Sequence, residues 1–174
     1  MRSKYSVLLC VALLVLAACG DDDNENNTPN SPTRLMVYMH DQPAAYQQVN
    51  IDLLSVEFKG SGAADITLDG DYAGIYNLLD LQNGLDTLIA DTVVNYGNLT
   101  QIRLILGPNN TVMVDSVLYP LETPSAQQSG LKINVQSALA GLDTLVLSID
   151  FDAYESVNQT GNGTYMLHPV LHLD

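Results

Sequence analysis

The sequence predicts an all-β sandwich of about seven to nine short strands. Three observations carry that expectation. From residue 34 onward, apolar residues recur mostly with period two, the alternation of a strand with one buried face. Gly, Pro, Asn and Asp punctuate these runs at turn positions. No long stretch holds an apolar stripe at helical spacing.

An export signal stands ahead of the strands. Arg2 and Lys4 make a positive start, and residues 7–16 form an apolar run interrupted only by Cys10 and Ala12. Leu16-Ala17-Ala18-Cys19 closes the run with small residues, the pattern of a secretion signal. The run is shorter than the ~20 apolar residues that span a bilayer. Leu-Ala-Ala-Cys resembles the lipobox of bacterial lipoproteins, which implies cleavage before Cys19 and attachment of lipid (palmitate) there. Residues 1–18 are therefore expected to be a signal peptide, 19–33 a lipidated cysteine with a disordered acidic tether, and 34–174 the sandwich. The tether, GDDDNENNTPNSPT after Cys19, has no residue suited to a core. Its reach is ~20 Å as a coil and ~46 Å extended, enough to hold the domain clear of lipid. The acid run after Cys19 resembles the export signal of Bacteroidetes surface lipoproteins. An outer-membrane lipoprotein exposed at the cell surface is the expectation, with a periplasm-facing one as the alternative.

Along the domain, Leu35, Val37 and Met39 alternate in the first run, and Val49, Ile51 and Leu53 in the second. Opposite parity (Leu54, Val56, Phe58) then takes over, which predicts a bulge or a strand passing between packing surfaces. Residues 101–106 and 111–114, joined by Gly107-Pro108-Asn109-Asn110, read as a hairpin. Asn83-Gly84 marks a turn, and a short helix could occupy 85–90. Further strands are expected at 131–135, 144–151 and 164–173.

Charge and cysteine content bound the partners. Cleavage removes two basic residues and no acid, so the net charge moves from −14 to −16. Four of the acids lie in the tether, which leaves the domain with 4 basic and 16 acidic residues, net −12. Such a surface excludes nucleic acid and repels anionic lipid, so the anchor must be acyl chains on Cys19. With Cys10 removed and Cys19 acylated, no disulfide can form, and the domain must stand on its hydrophobic core. At ~150 residues a domain buries about two thirds of its unfolded surface, which suffices.

Four stretches resemble one family: Tyr76-Asn77-Leu78-Leu79-Asp80-Leu81-Gln82-Asn83-Gly84, Gln101-Ile102-Arg103-Leu104-Ile105-Leu106-Gly107, Thr123-Pro124-Ser125-Ala126-Gln127-Gln128-Ser129-Gly130-Leu131-Lys132 and Leu147-Ser148-Ile149-Asp150-Phe151-Asp152-Ala153. With Asp41-Gln42-Pro43-Ala44-Ala45-Tyr46, they resemble the Bacteroidetes lipoprotein family known as domain of unknown function 4382. The chain departs from that pattern at His40, where Thr is usual, and at His168, where Lys is usual. The resemblance implies an immunoglobulin- or transthyretin-like sandwich over nearly the whole mature domain. It implies no activity and no catalytic residues.

Several residues carry the types needed for chemistry. Asp150 and Asp152 share a strand face and could bind a cation, but apolar Leu147, Ile149 and Phe151 claim the core, so the acids are expected to face water. Asp69-Gly70-Asp71 looks like a calcium-loop fragment without the rest of the loop, and a turn is the stronger expectation. No metal site and no cofactor is therefore expected. His168 and His172 lie four apart, ~13 Å along a strand, too far to share a zinc ion. His40 beside Asp41, with Ser125 and Ser129 elsewhere, supplies the types of a hydrolytic triad without a nucleophile elbow. The expectation is a non-enzymatic binding or adhesion module for an unknown glycan or protein ligand. Its contacts are expected on the loops holding His40, Asp41 and Tyr46, and Thr123, Ser125, Gln127 and Gln128. An assembly subunit acting by strand addition is the alternative, and an envelope hydrolase a further one.

Overall fold

Period-two burial divides the chain into two sheets whose inner faces form one hydrophobic cluster. The computed structural model describes residues 31–123 and 129–174. Those residues hold β1 (Thr33–His40), β2 (Gln48–Gly60), β3 (Ile66–Asn77), β4 (Thr87–Val94), β5 (Asn98–Leu106) and β6 (Thr111–Val114). They continue with β7 (Val117–Glu122), β8 (Leu131–Ala138), β9 (Thr144–Phe151), the one-turn helix α1 (Ala153–Ser156), β10 (Val157–Gln159), β11 (Tyr165–Leu167) and β12 (Leu171–Leu173). Twelve strands among the described residues exceed the expected seven to nine. Three of them, β10 to β12, are only three residues long, too short for a period to register.

The smaller sheet runs β12-β9-β1-β4, with β1 and β9 parallel. The larger runs β10-β11-β7-β6-β2-β5-β8, with β3 on the other edge of β2. Leu35, Val37 and Met39 face inward from β1, and Val49, Ile51, Leu53, Val56 and Phe58 from β2. Thr33, counted with the tether on composition, opens β1 and is fully buried, with Oγ1 donating to the carbonyl of Leu142 at 2.8 Å.

The parity switch in β2 is the expected bulge. Pairing with both β3 and β5 shifts register between Leu53 and Ser55. Leu54 is the extra residue, and it is 45% exposed rather than part of the second inward set. Opposite it, β3 loops out between Asp69 and Gly74. Gly70 sits there at φ +90°, a backbone angle that favours glycine.

The expected hairpin of residues 101–114 is not one. Asn50 pairs with β3 on one edge and with Thr111 of β6 on the other, and Ser55 to Phe58 pair with β3 and β5 in the same way. β5 and β6 therefore follow each other along a single edge of β2, interrupted by Gly107-Pro108-Asn109-Asn110. That interruption wraps Asp52, whose Oδ2 accepts from the Asn109 backbone at 3.1 Å and from its side chain at 2.8 Å. Asn110 in turn accepts from the Asp52 backbone N–H at 2.8 Å. The true hairpin is β6–β7, closed by Asp115 and Ser116 at φ 48° and 63°.

Two further expectations change. Residues 85–90 run into β4 with no helix, and the helical turn instead covers Leu78–Leu81. Asn83-Gly84 makes the expected turn, at φ 60° and 83°. The single strand expected at 164–173 breaks around Pro169, which has no N–H to donate to a ladder. Ser156 takes up the neighbouring donors, its carbonyl accepting from His168 and its hydroxyl from Val170. As a result β11 joins the larger sheet and β12 the smaller.

Candidate functional site

His40 ends β1 beside Asp150 of β9, its register partner. The loop that follows folds back over both. Asp41 is 4% exposed, and its carboxylate accepts from the Ala153 backbone at 2.8 Å and the Gln82 amide at 3.1 Å. Burial pushes the Asp41 carboxyl above its ordinary pKa, a push that these hydrogen bonds oppose and the nearby Asp150 reinforces. Asp150 is 3% exposed and accepts from the Gln42 amide at 2.5 Å. Its other oxygen, Oδ1, has no hydrogen-bond partner among the described residues and lies 3.9 Å from Nδ1 of His40. Nε2 of His40 is 3.0 Å from Asp174. Asp150 was expected to face water, and the Gln42 loop buries it instead. His40 and Asp41, although adjacent, serve different partners: the imidazole sits between two carboxylates, while the Asp41 carboxylate anchors the turn into α1.

The other candidate acids do not gather. Asp152 caps α1 by accepting from the Glu155 N–H at 2.8 Å, while Asp69 and Asp71 stand exposed in the looped-out part of β3. The stretch at Asp69 is thus an excursion within a strand rather than a turn between strands. Among the described residues, no three His, Cys, Asp or Glu side chains are placed to hold a metal ion. His168 follows β11 of the larger sheet, while His172 lies on β12 of the smaller. Thr123, expected on a binding loop, is 1% exposed and accepts from the Asn110 amide at 3.1 Å. Ser125, Gln127, Gln128 and Cys19 lie outside the described residues.

Tyrosines converge where the acids do not. Tyr46 precedes β2, Tyr119 lies on β7, Tyr154 on α1 and Tyr165 on β11. Tyr46 donates to the Val157 carbonyl at 3.1 Å, and burial raises its hydroxyl pKa, with smaller contributions from the nearby Tyr165 and Tyr154. Rings of Tyr119 and Tyr165 meet at 5.1 Å between centroids, tilted by 48°. They line a groove of about 290 Å³ with Pro120, Glu122, Gly163 and Thr164. Beside it the β6–β7 hairpin exposes Val117 and Leu118, and Tyr154 is 64% exposed. Nothing in the local sequence brings these tyrosines together. Their meeting depends on β7 lying next to β11, a parallel pairing across more than 40 residues of chain that no local pattern signals.

A second groove, of about 620 Å³, runs along β5 and β8 and is lined by Asn98, Thr100, Asn134 and Gln136 with Leu99, Val135 and Ala138. Electrostatics across the domain are one-sided. Arg34 pairs with Asp91, Lys59 with Asp65 and Arg103 with Glu57, so three of the four basic residues offset acids of their own chain.

The family model described as Domain of unknown function (DUF4382) matches residues 32–169, which take in every strand from β1 to β11. The chain belongs to this family. No curated protein and no solved structure matches it. The matched span takes in Tyr46, Tyr119, Tyr154 and Tyr165 and ends before β12.

Proposed function

We propose that this member of the family is a lipid-anchored binding module of the outer membrane, displayed at the cell surface, that holds a glycan or protein ligand and catalyses no reaction. The partly exposed Tyr119, packed on the buried Tyr165 and preceded on the same hairpin by exposed Val117 and Leu118, supports the reading most. Tyrosine offers a large apolar face with a polar tip, and it is enriched where proteins hold partners. The lipobox ending at Cys19 and the acidic tether support the anchor and its orientation.

Two experiments test it. In the native cell, the full chain should partition into detergent and be cut by protease added to intact cells, and Cys19→Ala should release it. Partitioning unchanged by that variant refutes the anchor. A thermal-shift series of the full chain against polysaccharides and basic proteins tests binding, since a ligand at a hundredfold over its Kd adds ~2.7 kcal/mol. A series flat for every ligand refutes the binding role.

Strand addition is the second reading, supported by β8. It ends the larger sheet, it is eight residues long, and the 620 Å³ groove runs beside it. A mass that stays monomeric across a hundredfold concentration range refutes it.

A further inference from the structure

We infer that the outer face of β5 and β8 carries a ligand site of its own, one that takes a neutral oligosaccharide. The inference rests on the binding role proposed above, places it on strands that do not pair with β7, and names its ligand. Alternation along the strands builds the site. Leu99 and Val135 enter the core, at 0% and 3% exposed, so Asn98 and Thr100 of β5 and Asn134 and Gln136 of β8 point the other way. All four are exposed. They line the groove of about 620 Å³, which falls within the ~300–1,000 Å³ of most small-molecule sites.

Two irregularities meet at this place. β5 shifts register against β2 between Lys59 and Gly60, and against β8 between Leu99 and Gln101. Such shifts interrupt the ladder and re-aim side chains. Thr100, at the centre, donates to the Lys59 carbonyl at 3.0 Å. β5 and β8 pair with each other on either side of the shift, so the groove offers a ligand side chains rather than an open strand edge.

The lining selects the ligand. Its polar side chains are three amides and a hydroxyl, and among the described residues no charged side chain lines the groove. The domain has 16 acidic and 4 basic residues, so an uncharged groove is where a ligand can dock without drying a carboxylate. An anion would find no cation there, and a cation no carboxylate. Much of the hydrogen-bonding capacity is unspent among the described residues. Gln136 makes no hydrogen bond, Asn134 accepts from the Gln101 amide at 3.2 Å and keeps its own donors, and Asn98 donates to Ser61 Oγ at 3.3 Å and keeps its acceptor. Sugar hydroxyls both donate and accept, so they match donors and acceptors presented together. No aromatic ring lines the groove, so affinity must come from several hydrogen bonds at once, which favours a chain of sugars over a single one.

The test follows fluorescence anisotropy of labelled oligosaccharides as the full chain is added. The neutral probes are maltohexaose, cellohexaose, xylohexaose and mannohexaose, and hexagalacturonate is the charged comparison. At least one neutral probe should bind, and its affinity should stay within about twofold as salt rises about tenfold. Asn134→Ala and Gln136→Ala should each weaken it about fivefold or more, with melting temperatures near that of the parent, since both side chains are exposed. Lys132→Gln, exposed two residues before Asn134 and outside the groove, should leave it within about twofold. Unchanged affinity in both alanine variants overturns the inference. So does tighter binding of hexagalacturonate that Lys132→Gln abolishes, because charge would then be the attraction. If Tyr119→Leu abolishes sugar binding that both alanine variants keep, the sugar belongs to the Tyr119 surface, and this inference falls while the binding role stands. The same holds if no neutral probe binds but a basic protein raises the melting temperature. If no probe and no member of the wider ligand series binds, the inference and the binding role fall together.

Discussion

Replacing Asn110 with Ala should be among the most damaging polar substitutions in this domain. Asn110 is 2% exposed and sits where β5 ends and β6 begins. Its Oδ1 accepts from the Asp52 N–H at 2.8 Å, and its amide donates to the Gly107 carbonyl at 2.7 Å and to the Thr123 hydroxyl at 3.1 Å. Alanine removes all three bonds and leaves their partners behind. A net hydrogen bond is worth ~1 kcal/mol, and a buried partner left dry costs ~1–3 kcal/mol, so the loss should be about 3–5 kcal/mol. That is a large share of the ~5–15 kcal/mol typical of a whole domain. The neighbouring variant calibrates the figure. Asn109 is exposed, and its amide shares Asp52 Oδ2 with its own backbone N–H, which survives substitution. Asn109→Ala should therefore cost only ~1 kcal/mol. Urea unfolding of both variants in the full chain, at constant m-value, measures the difference. Equal losses, or less than ~1 kcal/mol for Asn110→Ala, would refute the account of this loop as the clamp that lets one edge of β2 hold two successive strands.

Other outcomes follow from particular contacts. A methyl on Gly60 would stand 2.2 Å from the ring of buried Tyr96 and 2.7 Å from the Asn98 carbonyl, so Gly60→Ala should cost ~3 kcal/mol or more. Tyr96→Phe should cost less, ~1–2 kcal/mol, for the one hydroxyl proton shared between the Phe58 and Ala64 carbonyls, and thermal or urea unfolding ranks the two. Because burial raises the Asp41 carboxyl above its ordinary 3.8, the folded state favours its protonated form. The stability it contributes is fully present below pH 3.8 and is lost as pH rises through the raised folded value. The stability of the parent relative to Asp41→Asn should fall over that interval, and a difference that grows with pH contradicts the assignment. Leu54→Ser should change stability by less than ~0.5 kcal/mol while Val56→Ser costs ~3 kcal/mol, since only the latter leaves a polar group in the core.

What could be read from the chain alone was whatever a strand shows within itself. Alternation located β1, β2 and β9, because every second side chain in those runs must leave water. The parity switch signalled an irregularity after Leu53, because one extra residue reverses which face is buried, but it counted the exposed Leu54 among the inward residues. Pairing was not legible. Two β-branched runs around Gly-Pro-Asn-Asn look like a hairpin whether they pair with each other or lie in succession along a third strand, and only contact with Asp52 decides. The candidate site divided in the same way. His40, Asp41 and Asp150 were singled out by residue type, but the burial of Asp150 depends on Gln42 reaching it from another element. The tyrosine rim was invisible because β7 and β11 meet through parallel pairing across the chain.

The sequence by itself determined the fold class, the acidic surface and the reliance on a hydrophobic core, since composition and period are local properties. Tertiary structure decided which strands are neighbours and which side chains share a groove, since those depend on pairings whose free energy is spread over distant residues.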